Sequence, residues 1–445
     1  MAEKKQIVPE GLTLRPYQKK GVKFCLKRSR SIIGDVMGLG KTPQAVVYSN
    51  AIEAQHIVVI GPAVARYNWL HEFETWGTQD YNITVVDKGN VKVELDNRPT
   101  VIIISYHLVL QEKWYQFLST FLGSAKPSLL ICDEAHNLGS WSAKWTRKIL
   151  LKLSPKASHL LLLTGTPMRN KVDTLHPLFS ACDPKMWGTL KEFREKYMFP
   201  VPDPYVGTKY IGARNVPDLR EKSKTFMIRR FKKNVLKELP SKMFNNVYLD
   251  VPSKLAEHSI EGMEQLLKAV ERGDKVNFSD NTGDLAKLRR QLGLAKLPAT
   301  IDWLDEFFEN EPDTQLGLFC HHTEVAKTLS SALHKKKIKS GEIIGETTPK
   351  RRNENIKAFQ DGELQVLVLN IQAGGTAINL QNAHHVAFVE VDYSPANMDQ
   401  AVNRFHRMGQ KNKVQVYFLL AEKSIETKII QIIRRKIKEM EAIVG

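Results

Sequence analysis

The chain has 445 residues, 42% of them hydrophobic and 25% charged, the composition of a soluble globular protein with room for roughly two to three domains of about 150 to 200 residues. Two are expected. A net charge of +17 and a pI near 9.5 are what a phosphate-backbone partner would neutralise, with a solvated basic surface as the plainer alternative. Cys25, Cys132, Cys182 and Cys320 are scattered and form no C-x-x-C pair, which argues against a disulfide framework or zinc site and for a reducing, intracellular setting. The opening residues Met1 to Gln6 are too polar for a secretion signal. Leu364 to Val389 carries no Asp, Glu, Lys or Arg, yet Asn, Gln, Gly and His interrupt it, so no membrane span is expected there.

In chain order, Leu12-Thr13-Leu14-Arg15-Pro16-Tyr17-Gln18 precedes a helical stretch with apolar Val22, Phe24 and Leu26. The apolar pair Ile32 and Ile33 then feeds Gly34-Asp35-Val36-Met37-Gly38-Leu39-Gly40-Lys41-Thr42-Pro43-Gln44, and a helical pattern follows through Ala45 to Tyr48. That is the setting of a phosphate-binding loop. Glycines let main-chain N–H groups curl around a polyphosphate, the helix points its positive end at it, Lys41 adds a mobile charge and Thr42 would hold a magnesium ion. The strict G-x-x-x-x-G-K-[ST] spacing is missed, because Asp35 occupies the place of the first glycine and Gly34 stands one residue early. An ordinary glycine turn capping a helix is the alternative.

Short apolar runs bounded by turn residues come next: His56 to Ile60, Val101 to Ile104, Ser128 to Cys132 and His159 to Leu163, with a helical pattern from Val64 to Phe73 between the first two. Such alternation predicts buried parallel strands, hence an α/β sheet covered on both faces. Ligands of these sheets gather at the carboxyl ends of the strands. There the sequence places Asp133-Glu134-Ala135-His136 after one run and Thr164-Gly165-Thr166-Pro167 after another. Two adjacent carboxylates leaving a buried strand call for a cation, so Asp133 is assigned to a magnesium shell through water. Glu134 is assigned to orienting and deprotonating the attacking water. A solvated acidic turn with Asp133 as a helix cap is the alternative.

From about residue 170 to 242 aromatics, prolines and charges crowd together, including Pro200, Pro202, Pro204 and Pro217. Phe226 to Pro240 reads as a basic helix stopped by proline and marks the domain boundary, giving units 1–238 and 239–445. Residues 253 to 312 read as largely helical, with Lys287, Arg289 and Arg290 on a basic segment. A second strand series follows at Leu316 to Cys320, Glu342 to Ile344, Leu364 to Leu369, His385 to Val391 and Val414 to Leu420. Ile425 to Val444 reads as a core-packing amphipathic helix. In this half Gln372 to Leu380 follows a strand and Gln400 to Gln410 ends a helix. Arg404 and Arg407, three apart, are expected on one helical face as a forked pair suited to charge on a transferring γ-phosphate. A surface pair bonded to Asp399 or Glu390 is the alternative.

Taken together, Met37 to Thr42, Asp133 to His136, Leu163 to Asn170, Met227 to Lys242, Ala373 to Leu380 and Gln400 to Gln410 resemble the superfamily 2 helicase-like ATPases, and within them the SWI/SNF-type branch of double-stranded-DNA translocases. Leu318-Phe319-Cys320-His321-His322 is also similar to the annealing-helicase subgroup. The resemblance implies two tandem RecA-like lobes with parallel sheets and helical insertions near the lobe boundary, with ATP and Mg2+ between the lobes. By carry-over Gln18 would read the adenine, while Gly38, Leu39, Gly40, Lys41 and Thr42 would hold the phosphates and metal. Arg404 and Arg407 would be the arginine fingers of the second lobe. Thr164, Thr166, Gly374 and Gly375 would couple the nucleotide to DNA.

Three departures from the family pattern stand out: Val36 in place of Glu, Pro43 where Ile is common, and Ala377 in place of Gly. None removes a catalytic group. The expected partner is double-stranded or branched DNA, with a possible recruiting protein, since the two lobes leave little room for a substrate-recognition domain. A monomer on DNA is expected. A strand-separating DNA or RNA helicase, and a non-catalytic DNA-binding protein with a decayed ATP site, are the alternatives.

Overall fold

The computed structural model describes residues 6–87, 91–168, 171–203, 207–236, 238–252, 283–371, 378–392 and 394–444. The chain divides into two compact units, one running to Val235 and including the end of the chain from Ala442, the other Leu236–Glu441.

The first unit is built on a seven-stranded sheet with the order β3-β4-β2-β5-β6-β1-β9. Its strands are β1 (Arg30–Ile33), β2 (His56–Gly61), β3 (Asn82–Val85), β4 (Thr100–Ser105), β5 (Ser128–Cys132), β6 (His159–Leu163) and β9 (Met227–Ile228). All pairings are parallel. The expected runs at 128–132 and 159–163 are strands over the same residues. Their continuous apolar character has a simple cause: both faces of the sheet are covered, so every side chain from Leu129 to Cys132 is buried.

The Pro-rich stretch hides a third structure. β7 (Phe199–Asp203) and β8 (Gly207–Ile211) pair antiparallel, with Pro200 opposite Tyr210 and Pro202 opposite Thr208. Prolines two residues apart share one edge of a strand, so their missing N–H groups fall on the same side and the ladder survives on the other.

The second unit carries a six-stranded parallel sheet, order β10-β15-β14-β11-β13-β12. Its members are β10 (Lys242–Leu249), β11 (Leu316–Cys320), β12 (Ser340–Ile343), β13 (Val366–Asn370), β14 (His385–Phe388) and β15 (Val414–Ala421). Alternation along the strands feeds two cores: Phe319, Leu367, Leu369, Phe388 and Phe418 pack on one face, and Leu318, Val366, Val368, Ala387 and Leu419 on the other. The closing helix spans Ile425–Val444 as expected, burying Ile425, Ile429, Ile430 and Ile433. Helices Gly283–Ala295 and Leu297–Asn310 bear out the helical reading from 283 onward, while residues 253–282 lie outside the described part. Among the described residues no helix is long and apolar enough to cross a membrane.

Two expectations are corrected. Phe226 to Pro240 is not one basic helix. Met227 and Ile228 pair in register with Ile32 and Ile33, and among the described residues of this stretch only Lys232–Val235 is helical. The edge of β1 supplies ladder partners that a solvated helix would forgo. Likewise the helix before the late arginines, Pro395–Val402, ends two residues short of Arg404, with Asn403 as its cap. Arg404 and Arg407 therefore lie on a turn, and the helical-face argument for pairing them does not hold.

Candidate active site

At the carboxyl end of β1 the chain enters a loop whose conformation only glycine adopts without strain: Gly38 has φ +80° and Gly40 φ +67°. Gly40 caps the helix Lys41–Ala51, whose first-turn N–H groups thus open onto the loop. The loop is held from outside, carbonyl by carbonyl. Tyr17 Oη and Gln18 Nε2 each donate to the Leu39 carbonyl at 3.2 Å. Gln44 Nε2 donates to the Gly40 carbonyl at 3.0 Å, Arg229 Nη1 to that of Gly34 at 3.3 Å, and Lys41 Nζ to that of Asp35 at 2.9 Å.

Gln18 is thereby placed beside the loop. Its amide oxygen accepts from Arg15 N at 2.8 Å, so both ends of the side chain brace the backbone. Burial pushes the Lys41 ammonium below its ordinary range, although Glu134, Asp35 and Asp133 pull the other way.

The paired carboxylates leave β5 next to this loop. Asp133 N donates to the Ile60 carbonyl at 2.8 Å, fixing the turn to β2. The Asp133 carboxylate is then gripped at both oxygens: Trp69 Nε1 donates to Oδ2 at 2.9 Å, and Glu134 N to Oδ1 at 2.9 Å. Tyr106 Oη donates to the Asp133 carbonyl at 2.7 Å. Glu134 itself has φ 48° and ψ 48°, a left-handed conformation disfavoured for a side chain this size. Its Oε2 lies 3.2 Å from His136 Nδ1. The same ring nitrogen lies 3.1 Å from Thr164 Oγ1 and 3.4 Å from Thr166 Oγ1.

Gly165 shows how closely this segment passes the loop, for a Cβ there would stand 2.7 Å from Met37 Cγ and 3.5 Å from Lys41 Nζ. One polar chain therefore runs from the carboxylates through His136 to Thr164 and Thr166, beside Lys41. Thr42 and Asp133 offer hard oxygen donors, the chemistry a magnesium ion takes. Among the described residues there is no His/Cys cluster to favour a softer metal.

Sequence reasoning named Lys41, Thr42, Asp133, Glu134, Thr164 and Thr166, and the structure brings them around one loop. It missed Trp69, Tyr106, Gln44 and Arg230, and it gave His136 no role. For Trp69 the sequence offers only its four-residue spacing from Phe73, which points to a buried helical face; the structure leaves it 1% exposed, and a buried indole needs an acceptor for its N–H.

In the second unit Arg404 and Arg407 flank Phe405, whose ring lies against β11: a Cβ on Gly317 would stand 2.3 Å from Phe405 Cζ. The turn is held by Gln410 Nε2, which donates to the carbonyls of Ala383 at 2.8 Å and Gln381 at 3.0 Å. His406 Nε2 meets the Pro240 carbonyl at 2.7 Å. Of the carboxylates considered as arginine partners, Glu390 is engaged by His322 Nδ1 at 2.6 Å and by the His321 and His322 N–H groups at 2.9 Å. Asp399 is engaged by Lys242 at 3.1 Å and Asn403 at 2.7 Å. Gly374 and Gly375 lie outside the described residues.

A strand-loop-helix that sets a glycine-capped helix start beside a lysine and a pair of carboxylates defines the phosphate-loop class of nucleotide-binding α/β proteins. The chain belongs more particularly to the SNF2-related family. The SNF2-related domain model matches residues 17–282, more than half of the chain, and the helicase conserved C-terminal domain model matches residues 299–409.

The chain is 29% identical over 446 residues to the DNA annealing helicase and endonuclease ZRANB3 of Bos taurus, covering 95% of this chain and 40% of that protein. It is 31% identical over 436 residues to the Caenorhabditis elegans homolog of SWI/SNF-related matrix-associated actin-dependent regulator of chromatin subfamily A-like protein 1, covering 95% of this chain and 61% of that protein. It thus spans less than two thirds of the length of either relative. The Sulfolobus solfataricus SWI2/SNF2 ATPase core in complex with dsDNA aligns over 98% of this chain and 97% of its own, at 22% identity and a TM-score of 0.45.

Proposed function

We propose that the protein hydrolyses ATP and uses it to move along double-stranded or branched DNA. The observation that carries this reading is the gathering of Lys41, Asp133, Glu134, Thr164 and Thr166 around one helix N-terminus. Residues 38 to 42 bind the phosphates through main-chain N–H groups, and Lys41 supplies a point charge whose desolvation a polyphosphate relieves. Thr42 and, through water, Asp133 would hold magnesium, which would neutralise phosphate charge when bound. Trp69 keeps the Asp133 carboxylate in the orientation that this requires.

Glu134 orients the attacking water and accepts its proton at a carboxylate oxygen, as the water oxygen bonds to the γ-phosphorus and the bridging oxygen leaves with ADP. Arg404 and Arg407 of the second unit stabilise the charge on the transferring group. The His136 Nδ1 lies close to Glu134, Thr164 and Thr166 alike, so the hydrolytic carboxylate and the segment expected to sense DNA meet at one imidazole. A family of helicase-type ATPases and a net charge of +17 support a nucleic-acid track held by its phosphates rather than by its bases. The resemblance of Leu318 to His322 to the annealing-helicase subgroup, together with the relative described as a DNA annealing helicase, supports strand annealing over strand separation.

The test compares ATP turnover of the purified chain on single-stranded, duplex and forked DNA and on RNA. Stimulation by duplex or forked DNA, abolished by Lys41→Ala and by Glu134→Gln with DNA binding retained, is expected. Equal turnover with and without DNA, or wild-type turnover in either variant, contradicts the reading.

A further inference from the structure

Asp35, in the middle of the phosphate loop, is fully buried at 0% exposure. A carboxylate there needs a fixed partner. The partner comes from 195 residues away: Arg230 Nε donates to Asp35 Oδ1 at 2.8 Å, and Arg230 Nη2 closes the second arm of the fork on Oδ2. The same Nη2 donates to Gln44 Oε1 at 2.7 Å, and Gln44 Nε2 returns to Asp35 Oδ2 at 3.2 Å and to the Gly40 carbonyl at 3.0 Å. Arg230 Nη1 donates to the Tyr17 carbonyl.

The fork is built to shape. A Cβ at Gly21 would stand 2.0 Å from Gln44 Oε1 and 2.7 Å from Arg230 Nη2, so only glycine leaves room for the network. Main-chain bonds lock the same segment, with Gly34 N donating to the Ile228 carbonyl at 2.8 Å and Val36 N to that of Arg230 at 3.1 Å. β9 and Arg230 thus extend β1's ladder beyond the strand and into the loop itself.

The position of Arg230 in the chain gives the network a second meaning. Apart from the chain's last residues, the first unit ends at Val235, so the residue that fixes the phosphate loop stands on the last stretch of chain before the second unit. We propose that the Arg230–Asp35–Gln44 network is a strut between the phosphate loop and the chain entering the second unit, making Arg230 a positioning residue for ATP turnover and for its stimulation by DNA. The proposal rests on the ATP-site reading above. A guanidinium suits this role where an ammonium does not, because two parallel N–H arms fix the plane of the carboxylate and a third bond anchors Tyr17. A pull on the segment after Ile228 reaches the loop at Asp35, and a loop closed on nucleotide holds that segment in turn.

The experiment uses the full chain with Arg230→Lys and Asp35→Asn, each measured for ATP KM, for kcat with and without duplex DNA, for binding of a fluorescent ATP analogue, and for melting temperature. Arg230→Lys keeps a cation and loses the fork. We expect KM for ATP to rise about tenfold and the DNA stimulation ratio to fall toward one, as the loop loses its charge-assisted brace. Asp35→Asn reproduces the split from the other side, and the double variant is no worse than the worse single one, as partners in one network require. Should Arg230→Lys fail to fold, Asp35→Asn carries the test.

A lowered melting temperature with unchanged KM and unchanged stimulation ratio overturns the proposal, because a purely structural brace scales activity with folded protein alone. The outcomes separate this inference from the reading beneath it. If the wild-type chain is DNA-stimulated and Lys41→Ala is dead while both strut variants keep wild-type KM and ratio, only the strut is wrong. If Lys41→Ala turns over, the ATP-site reading itself fails.

Discussion

Each unit buries an ion pair, and the two pairs do different work. In the first, Arg230 and Asp35 meet inside the phosphate loop, with exposures of 11% and 0%. In the second, Lys296 and Glu426 meet with exposures of 0% and 9%, at 2.7 and 2.8 Å to the two carboxylate oxygens. Lys296 Nζ also donates to the carbonyls of Leu419, at 2.9 Å, and Val389, and Glu426 Oε2 accepts from Ala421 N at 2.9 Å. It therefore ties the start of helix Leu297–Asn310 to the ends of β14 and β15 and to the closing helix. One pair braces a loop that must bind a ligand; the other fastens elements that must only stay packed. The same chemistry serves function where it meets a glycine loop and serves stability where it meets strand ends.

The largest effect that sharpens this contrast belongs to the second pair. Lys296→Met leaves the Glu426 carboxylate buried without its counter-charge and lowers stability by about 3 to 5 kcal/mol, read by denaturant unfolding. Loss of nucleotide affinity in the folded variant, at unchanged stability, would break the distinction.

Gly317→Ala comes next. The added methyl group would meet the Phe405 ring at 2.3 Å, which displaces the turn carrying Arg404 and Arg407 and costs about 3 kcal/mol of overpacking. Turnover falls while binding of a fluorescent ATP analogue persists, and unchanged turnover would show that the turn tolerates displacement.

Trp69→Phe keeps the ring and removes the N–H that Asp133 accepts. The loss is about 2 kcal/mol of positioning, roughly a thirtyfold fall in turnover. The expected signature is a raised magnesium requirement for binding of the ATP analogue, measured by titration. A uniform loss at every magnesium concentration would assign Trp69 to packing alone.

The smallest effect is on pH. Because burial depresses the Lys41 ammonium, raising the pH discharges it before an ordinary lysine, and ATP affinity falls severalfold below the normal lysine range. A binding curve that stays flat until that range is reached would place Lys41 in a solvated environment.

Much of this was legible in the sequence wherever local pattern and tertiary role agree. Buried parallel strands such as 128–132 and 159–163 are apolar on both faces, so composition alone marks them. The Lys41, Asp133 and Thr164 segments follow such strands directly, and strand ends are where α/β ligands bind. What stayed hidden depends on partners distant in the chain. Met227 and Ile228 look helical until the edge of β1 offers them a ladder. Arg230 looks like one more cation in a basic run until Asp35 is seen to need it. Arg404 and Arg407 carry helical spacing, yet Asn403 caps the helix before them, and Gln410 shapes the turn through carbonyls some 30 residues back in the chain. Spacing alone cannot tell a helix from the turn that ends it.

The proposal most in need of a test is that ATP binds at the phosphate loop and that its hydrolysis requires Arg404 and Arg407. Its most direct measurement is ATP binding and DNA-stimulated phosphate release, side by side, in Arg404→Ala and Arg407→Ala. Near-normal binding of the ATP analogue, with phosphate release reduced to background, is expected in both variants. Wild-type release in either variant would contradict it.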